Sequence, residues 1–402
     1  MANRRVGAPA AVLLAAGLFG IASAGAFAHP RDSTSRPVTR AEFAGAYLKF
    51  ETAFRRARLS DAEAARVNKE FDTLTLAFFM KDYARAMSRL DALTDSLGAG
   101  AVAAAPVKVY PPALYAAQRP AAEALLARLA KISAGGPELA QALAAVRARV
   151  RLLSEPPSPE NTAQLMQDPV ALAAQVSVEV RALEKGADPF KGRTGDYWRV
   201  VRIGASDVPV RVYLAPGAAA IGRVPLVVAF HGAGGDENMF MDGYGAGLAK
   251  ELAGARGFLL VTPATYPFMG DRAAASFDTL VEALSWDYPV DADRIYVFGH
   301  SLGGVLSGML AAARPGTLAA AACLSGFQGF KADAGRVAPT LIVAAELDPI
   351  SPPARIEPAF KRAAAAGLPV EYRFVKSYGH TLTVARVLPD VVDWLLARRR
   401  AK

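Results

Sequence analysis

A single cysteine, Cys323, stands in a chain of 402 residues. No intramolecular disulfide can form, and the fold must be held by its core alone. The surroundings of Cys323, Ala-Ala-Ala-Cys-Leu-Ser, read as a buried strand, so the thiol is expected to pack rather than to react. With no cysteine near the signal region, lipid attachment at a processed N-terminal cysteine is excluded. Histidine is nearly as scarce: there are four, with no His-Glu-x-x-His pair and no cluster at metal-ligand spacing. Neither a metal nor an organic cofactor is therefore expected. Blocks of like charge are also missing. The net charge is +9, yet the basic residues are dispersed apart from Arg398-Arg399-Arg400, and no aromatic residues interleave with them. A nucleic-acid partner is not expected from such a pattern. There is no low-complexity tail, and 52% hydrophobic against 21% charged residues is the balance of a globular protein.

The first 28 residues stand apart. Arg4 and Arg5 precede an uncharged run rich in Ala, Leu and Gly over residues 6–27, and Ala26-Phe27-Ala28 has the spacing of a processing site. That layout predicts a signal peptide over 1–28 and an exported protein, periplasmic or secreted. An uncleaved anchor is the rival reading, since the run approaches spanning length. Its mild hydrophobicity and its Ala-x-Ala end favour cleavage. No second run of spanning length follows, so no stable membrane insertion is expected after processing.

A chain this long suggests two folded parts. Residues 29–190 read as an α-helical N-terminal domain. Ser60-Asp-Ala-Glu63 has the form of a capping box. After it, Ala64, Val67, Phe71, Leu74 and Phe78 recur at three- and four-residue steps. Tyr83, Met87, Leu90, Leu93 and Leu97 continue the pattern, as in a helical hairpin. One helix is expected over residues 120–153, ended by Glu155-Pro-Pro-Ser-Pro159, and another over 169–185. Residues 191–402 change texture. Residues 197–203 and 210–214 alternate and suit an antiparallel hairpin. Apolar runs follow at 224–230, 258–262, 294–298, 319–324, 340–345 and 371–375, with helical segments between them. Strand and helix in regular alternation predict an α/β fold, a mostly parallel sheet with helices on both faces.

In such sheets ligands gather beyond the carboxyl ends of the strands. Gly299-His300-Ser301-Leu302-Gly303-Gly304 follows one strand and precedes a helix. Small residues at 299 and 303 permit a tight turn that presents Ser301 as a nucleophile. His231-Gly-Ala-Gly-Gly235 follows another strand, and its glycines let backbone amides approach a substrate oxygen. Asp348, in Ala-Glu-Leu-Asp-Pro-Ile, is a candidate to orient a histidine. Glu346 competes for that role, but Pro349 and the Pro352-Pro353 pair suggest a fixed turn that aims Asp348 inward. His380 follows the last strand in Lys-Ser-Tyr-Gly-His, and histidine is the residue type suited to act as a general base near neutral pH. The other histidines lie at the processing region, in the glycine loop and beside Ser301, which leaves His380 for the task.

In these motifs the second half resembles the α/β-hydrolase family, from about Tyr197 to Arg398. The glycine loop after the third strand, the Gly-x-Ser-x-Gly turn after the fifth, the acid after the seventh and the histidine after the eighth all match, in the family's order of Ser, Asp, His. The resemblance implies an eight-stranded sheet and a serine hydrolase. Ser301 would attack, His380 would move the proton and Asp348 would hold His380. The Leu302 amide and one or both of those of Ala233 and Gly234 would bind the oxyanion. Within the family the pattern is similar to exported bacterial carboxylesterases, including polyester-depolymerase and feruloyl-esterase relatives. Cleavage of a small-molecule or polymeric carboxylic ester through an acyl-enzyme is therefore expected. Phe240, Met241, Tyr266, Phe268, Met269 and Phe327 are candidates for the substrate pocket, with ordinary packing as the alternative for each. The rivals are a peptidase of the prolyl-oligopeptidase type, which carries a β-propeller in its other domain, and an inactive scaffold.

Overall fold

A computed structural model describes residues 37–80, 82–98, 110–156, 158, 161–218, 222–331 and 335–400. The expected signal peptide and its processing site lie outside the described residues. Residues Val38–Lys402 form one compact unit.

The first half is helical. It comprises α1 (Arg40–Arg56), α2 (Asp61–Phe79), α3 (Tyr83–Ser96), α4 (Pro112–Leu129), α5 (Pro137–Ser154), the single turn α6 (Thr162–Leu165) and α7 (Pro169–Glu184). Capping boxes start α1 at Thr39 with Glu42 and α2 at Ser60 with Glu63, the second as expected from sequence. The helix expected over residues 120–153 is instead two. Gly136 at φ 153° takes a conformation that L side chains rarely adopt, and Pro137, with φ already set for a helix, opens the next one. Among the described residues no strand precedes the first strand of the sheet, so the β-propeller of the peptidase reading is not there.

The second half alternates strands with helices. Its elements are β1 (Gly195–Ile203), β2 (Ser206–Leu214), β3 (Val224–Phe230), α8 (Leu248–Arg256), β4 (Leu259–Pro263), α9 (Ala273–Asp287), β5 (Val290–His300), α10 (Leu302–Ala313), β6 (Ala320–Leu324), β7 (Thr340–Ala345), α11 (Pro353–Ala365), β8 (Val370–Val375) and α12 (Thr383–Leu396). A π-helical turn, Met239–Gly243, lies between β3 and α8. The eight strands form one sheet in the order β1-β2-β4-β3-β5-β6-β7-β8. β1 pairs with β2, and β2 with β4, antiparallel; the rest are parallel. This is the eight-stranded α/β-hydrolase sheet expected from the motifs.

Pleating sends alternate residues of the central strands to opposite faces. Leu226, Val228 and Phe230 join a core shared with α4, α5, α7, α9 and α10, whereas Val227 and Ala229 join one shared with α8 and α12. The helices of the first half therefore bury their apolar stripes against the sheet rather than against one another alone. α1, α2 and α3 close a smaller core around Phe50, Val67 and Phe71, and Leu382, two residues after His380, packs into it. That contact brings the helices to the carboxyl end of the sheet, where the candidate residues lie.

Candidate active site

Ser301 sits between β5 and α10 at φ 54° and ψ −116°, a strained conformation for a residue with a Cβ. Close packing holds the turn. A Cβ on Gly299 would fall 2.3 Å from the Gly303 carbonyl, and one on Gly303 would fall 1.9 Å from the Phe230 carbonyl oxygen. Both contacts are with backbone, so neither position tolerates a side chain. Gly326, after β6, has the same role from beneath: its Cβ would meet the Ser301 carbonyl oxygen at 2.0 Å. The Ser301 amide donates to the Leu324 carbonyl at 2.8 Å.

His380 is buried, and its Nδ1 lies 2.9 and 2.8 Å from the two carboxylate oxygens of Asp348. A carboxylate accepts, so the proton resides on Nδ1 and the lone pair on Nε2. Asp348 Oδ1 also accepts from the amides of Ile350 and Ser351 at 2.9 and 2.8 Å, the tight turn expected from its prolines. Burial acts to raise the Asp348 pKa, but the His380 ring and these amides outweigh it and hold the carboxyl below its ordinary value. Glu346 points elsewhere: it is exposed and accepts from the Ser377 amide. Between the two acids, the one that meets the histidine is Asp348.

The histidines set aside from sequence have other partners. His231 Nε2 accepts from the Thr265 amide at 2.9 Å, so its Nδ1 donates to the Gly232 carbonyl. It pins the glycine loop to the end of β4. His300 touches the Tyr244 hydroxyl through Nδ1 and the His380 carbonyl through Nε2, both at 2.9 Å. Burial, then the neighbouring His380, pushes its pKa down to about 3, so it stays neutral and braces His380 from behind.

Ser301 and His380 line one cavity of about 150 Å³ together with residues 232–235 of the glycine loop. Among the described residues no acceptor meets the amides of Ala233 or Leu302. The Gly234 amide, by contrast, donates to the Tyr266 hydroxyl at 2.9 Å. Of the three expected oxyanion donors, two are thus open and Gly234 is engaged. No hydrogen bond joins Ser301 to His380 among the described residues, as is common before substrate binds.

The six pocket candidates do not line this cavity. Phe240 and Met241 are buried under α8 and α12, Phe268 packs edge-on against Phe230, and Met269 lies against the same core. Phe327 joins Cys323 and Phe330. Tyr266 is spent on Gly234. Apolar residues that follow strands were absorbed by the helical layers instead.

The wall comes from the first half, chiefly Phe43, Tyr47, Phe71, Leu74, Phe78 and Phe79 of α1 and α2. The Phe78 and Phe79 rings lie so close to Gly234 that a Cβ there would meet them at 2.8 and 3.2 Å. Arg40 donates to the Gly234 carbonyl at 3.1 Å. Glu51, in α1, accepts from the Gly245 amide at 3.1 Å and from the Tyr47 hydroxyl at 2.6 Å. On α2, Asn68 accepts from the Gly379 amide at 2.8 Å and Asp72 from the His380 amide at 3.0 Å. None of these first-half residues was among the site candidates read from the sequence, where Phe71, Leu74 and Phe78 figured only as an apolar helix face. The available signal was a polar pair at four-residue spacing, Asn68 and Asp72, adjoining the apolar stripe of Val67, Phe71 and Leu74.

No family model matches the chain, and no curated protein matches it. Among solved structures it is similar to a thermostable esterase at 19% identity and TM-score 0.43, over 51% of this chain and 63% of that one. The match thus spans less than two thirds of the esterase. It is similar to an S-formylglutathione hydrolase from Agrobacterium tumefaciens at 16% identity and TM-score 0.42, over 51% and 96% of the two chains. An arylesterase matches at 18% identity and TM-score 0.39, over 51% and 86%. At these scores the likeness adds nothing to what the strand order and the site geometry establish on their own.

Proposed function

We propose that the protein is a serine hydrolase that cleaves carboxylic esters through an acyl-enzyme intermediate. The observation that carries this reading is that Ser301, on its strained turn, and the Asp348-held His380 line the same cavity. In this reading His380 Nε2 takes the Ser301 proton as Oγ attacks the ester carbonyl. The amides of Leu302 and Ala233 receive the developing oxyanion, and His380 returns the proton to the departing alcohol. Water then repeats the sequence on the acyl-enzyme, releasing the acid and restoring Ser301.

The cavity suits the apolar part of a compact ester. Apolar cavities of ~150 Å³ hold a benzene-sized group. Its acidic and basic lining residues already have partners: Arg40 meets Asp236, while Asp242 meets Arg211 and Lys250. A charged acyl group would find no free counter-charge. Short aliphatic or aryl esters are the favoured class.

The test is labelling with a fluorophosphonate probe, alongside hydrolysis of p-nitrophenyl acetate, hexanoate, benzoate and hemisuccinate. Wild type is expected to label and to turn over the uncharged esters, and Ser301→Ala to do neither. Labelling that survives Ser301→Ala, or a preference for the hemisuccinate, would overturn the corresponding half of the proposal. Export is proposed as well, from Arg4-Arg5 and the run that follows. N-terminal sequencing of protein recovered outside the cytoplasm should begin at or near His29, and an intact N-terminus there would refute cleavage.

A further inference from the structure

We infer that Asp72 of α2 is a positioning residue for His380, reaching from the helical half to hold the main chain of the residue that moves the proton. The inference rests on the proposed reading of His380 as the base.

Asp72 is 4% exposed and its Oδ2 accepts from the His380 amide at 3.0 Å. Its other oxygen, Oδ1, is buried without a hydrogen-bond partner. Burial is the main influence on this carboxyl and raises its pKa to about 6. A group so costly to bury, receiving only the main-chain amides of His380 and its neighbour Thr381 and leaving one oxygen without a partner, gives little as a general fastener between two parts of a fold. Asn68, one turn earlier, makes the neighbouring bond to Gly379 without a charge and with its other end satisfied by the Ala64 carbonyl. What Asp72 adds is a charge-assisted bond to the catalytic residue itself.

The loop fits tightly around the carboxylate. A Cβ on Gly379 would lie 2.1 Å from Asp72 Oδ2, so the loop closes on the carboxylate only because residue 379 is glycine. His380 is then held at three points. Asp348 takes the ring at Nδ1, His300 meets the main-chain carbonyl, and Asp72 takes the main-chain amide. The first sets the tautomer; the other two set where the ring stands relative to Ser301. A displacement of about 1 Å at such a point costs on the order of 100-fold in rate.

The experiment is steady-state kinetics on p-nitrophenyl acetate with four full-length variants, checked for folding by circular dichroism. Asp72→Ala should lower kcat by about tenfold or more while KM changes less than about twofold, because substrate contacts are intact and base placement is not. Asp72→Asn keeps an acceptor at the same place and should restore kcat to within about threefold of wild type. Asn68→Ala, which removes the Gly379 bond and the side chain's bond within α2 but nothing that touches His380, should lower kcat less than Asp72→Ala does. Gly379→Ala displaces the loop without deleting the carboxylate and should reproduce the kcat-selective loss, which decides the matter if Asp72→Ala does not fold. A folded Asp72→Ala or Gly379→Ala enzyme with wild-type kcat would overturn the inference. So would equal losses in Asp72→Ala and Asn68→Ala, the mark of a fastener that acts through folding alone. Wild type that fails to label with fluorophosphonate would instead sink the underlying assignment of the site.

Discussion

Glu51 is buried at 1% exposure, and that burial, only partly offset by the Tyr47 hydroxyl and the Gly245 amide, raises its carboxyl from 4.5 to about 7. Because the folded value is the higher one, the folded chain holds this proton more tightly between those two pH values. The group's contribution to stability is full below about 4.5 and is lost as pH rises through 7, a change on the order of 3 kcal/mol. Glu51→Gln cannot ionise. Relative to wild type it should gain stability between pH 5 and pH 8 in thermal melts, and a difference that stays constant across that range would refute the burial argument. For the neighbouring acids the structure separates two residues that the sequence left in competition. Asp348→Asn should lower kcat by roughly 10⁴-fold, the cost of a wrong histidine tautomer. Glu346→Gln should leave kcat unchanged, and a large loss there would reverse the assignment. Ser301, Asp348 and His380 could be picked out as candidates because each falls within five residues of a strand's carboxyl end, and strand ends are visible as the limits of apolar runs. Asp72 and Asn68 were not, because a polar residue on a helix flank looks the same whether it faces water or a histidine loop.

The turn between β5 and α10 depends on close backbone approach, and its tolerance can be graded by neighbour. Gly303→Ala drives a methyl into the Phe230 carbonyl at 1.9 Å, whereas Gly316, on the turn after α10, has nothing within 4 Å. Gly303→Ala should therefore cost more than about 4 kcal/mol in urea unfolding or fail to fold, and Gly316→Ala should stay within about 1 kcal/mol. Equal effects would remove the steric explanation. The strands of the sheet lie within a few residues of the apolar runs that foretold them, since continuous burial on both faces leaves an unambiguous pattern. The largest differences are at the starts of β2, which begins at Ser206 rather than 210, and of β5. β5 begins at Val290, not 294, because Asp291, Asp293 and Arg294 form a polar start braced by an ion pair between Arg294 and Asp291. The division of α4 from α5 was likewise missed, although Gly135-Gly136-Pro137 carried the signal.

At the scale of the whole chain, α1 and α2 overhang the site, so the first half shapes what the second half is proposed to cleave. Phe78 stacks on Phe43 with ring centroids 5.0 Å apart and lines the cavity beside Gly234. Phe78→Ala should enlarge the pocket and raise kcat/KM for p-nitrophenyl octanoate relative to acetate by about tenfold, the scale of a few methylene contacts. An unchanged ratio would place the acyl group elsewhere. Amphipathic stripes predicted that these helices bury a face but could not say against what, because periodicity records burial and not its partner. The bond between Asp72 and His380 joins residues 308 apart in the chain. A contact of such separation closes late, after long stretches of backbone have been ordered. On the proposed reading, activity would then be tied to the completed fold: a chain still emerging from the ribosome would carry Ser301 before a seated base, and Ser301 would stay idle until the last strand and the first helices had met.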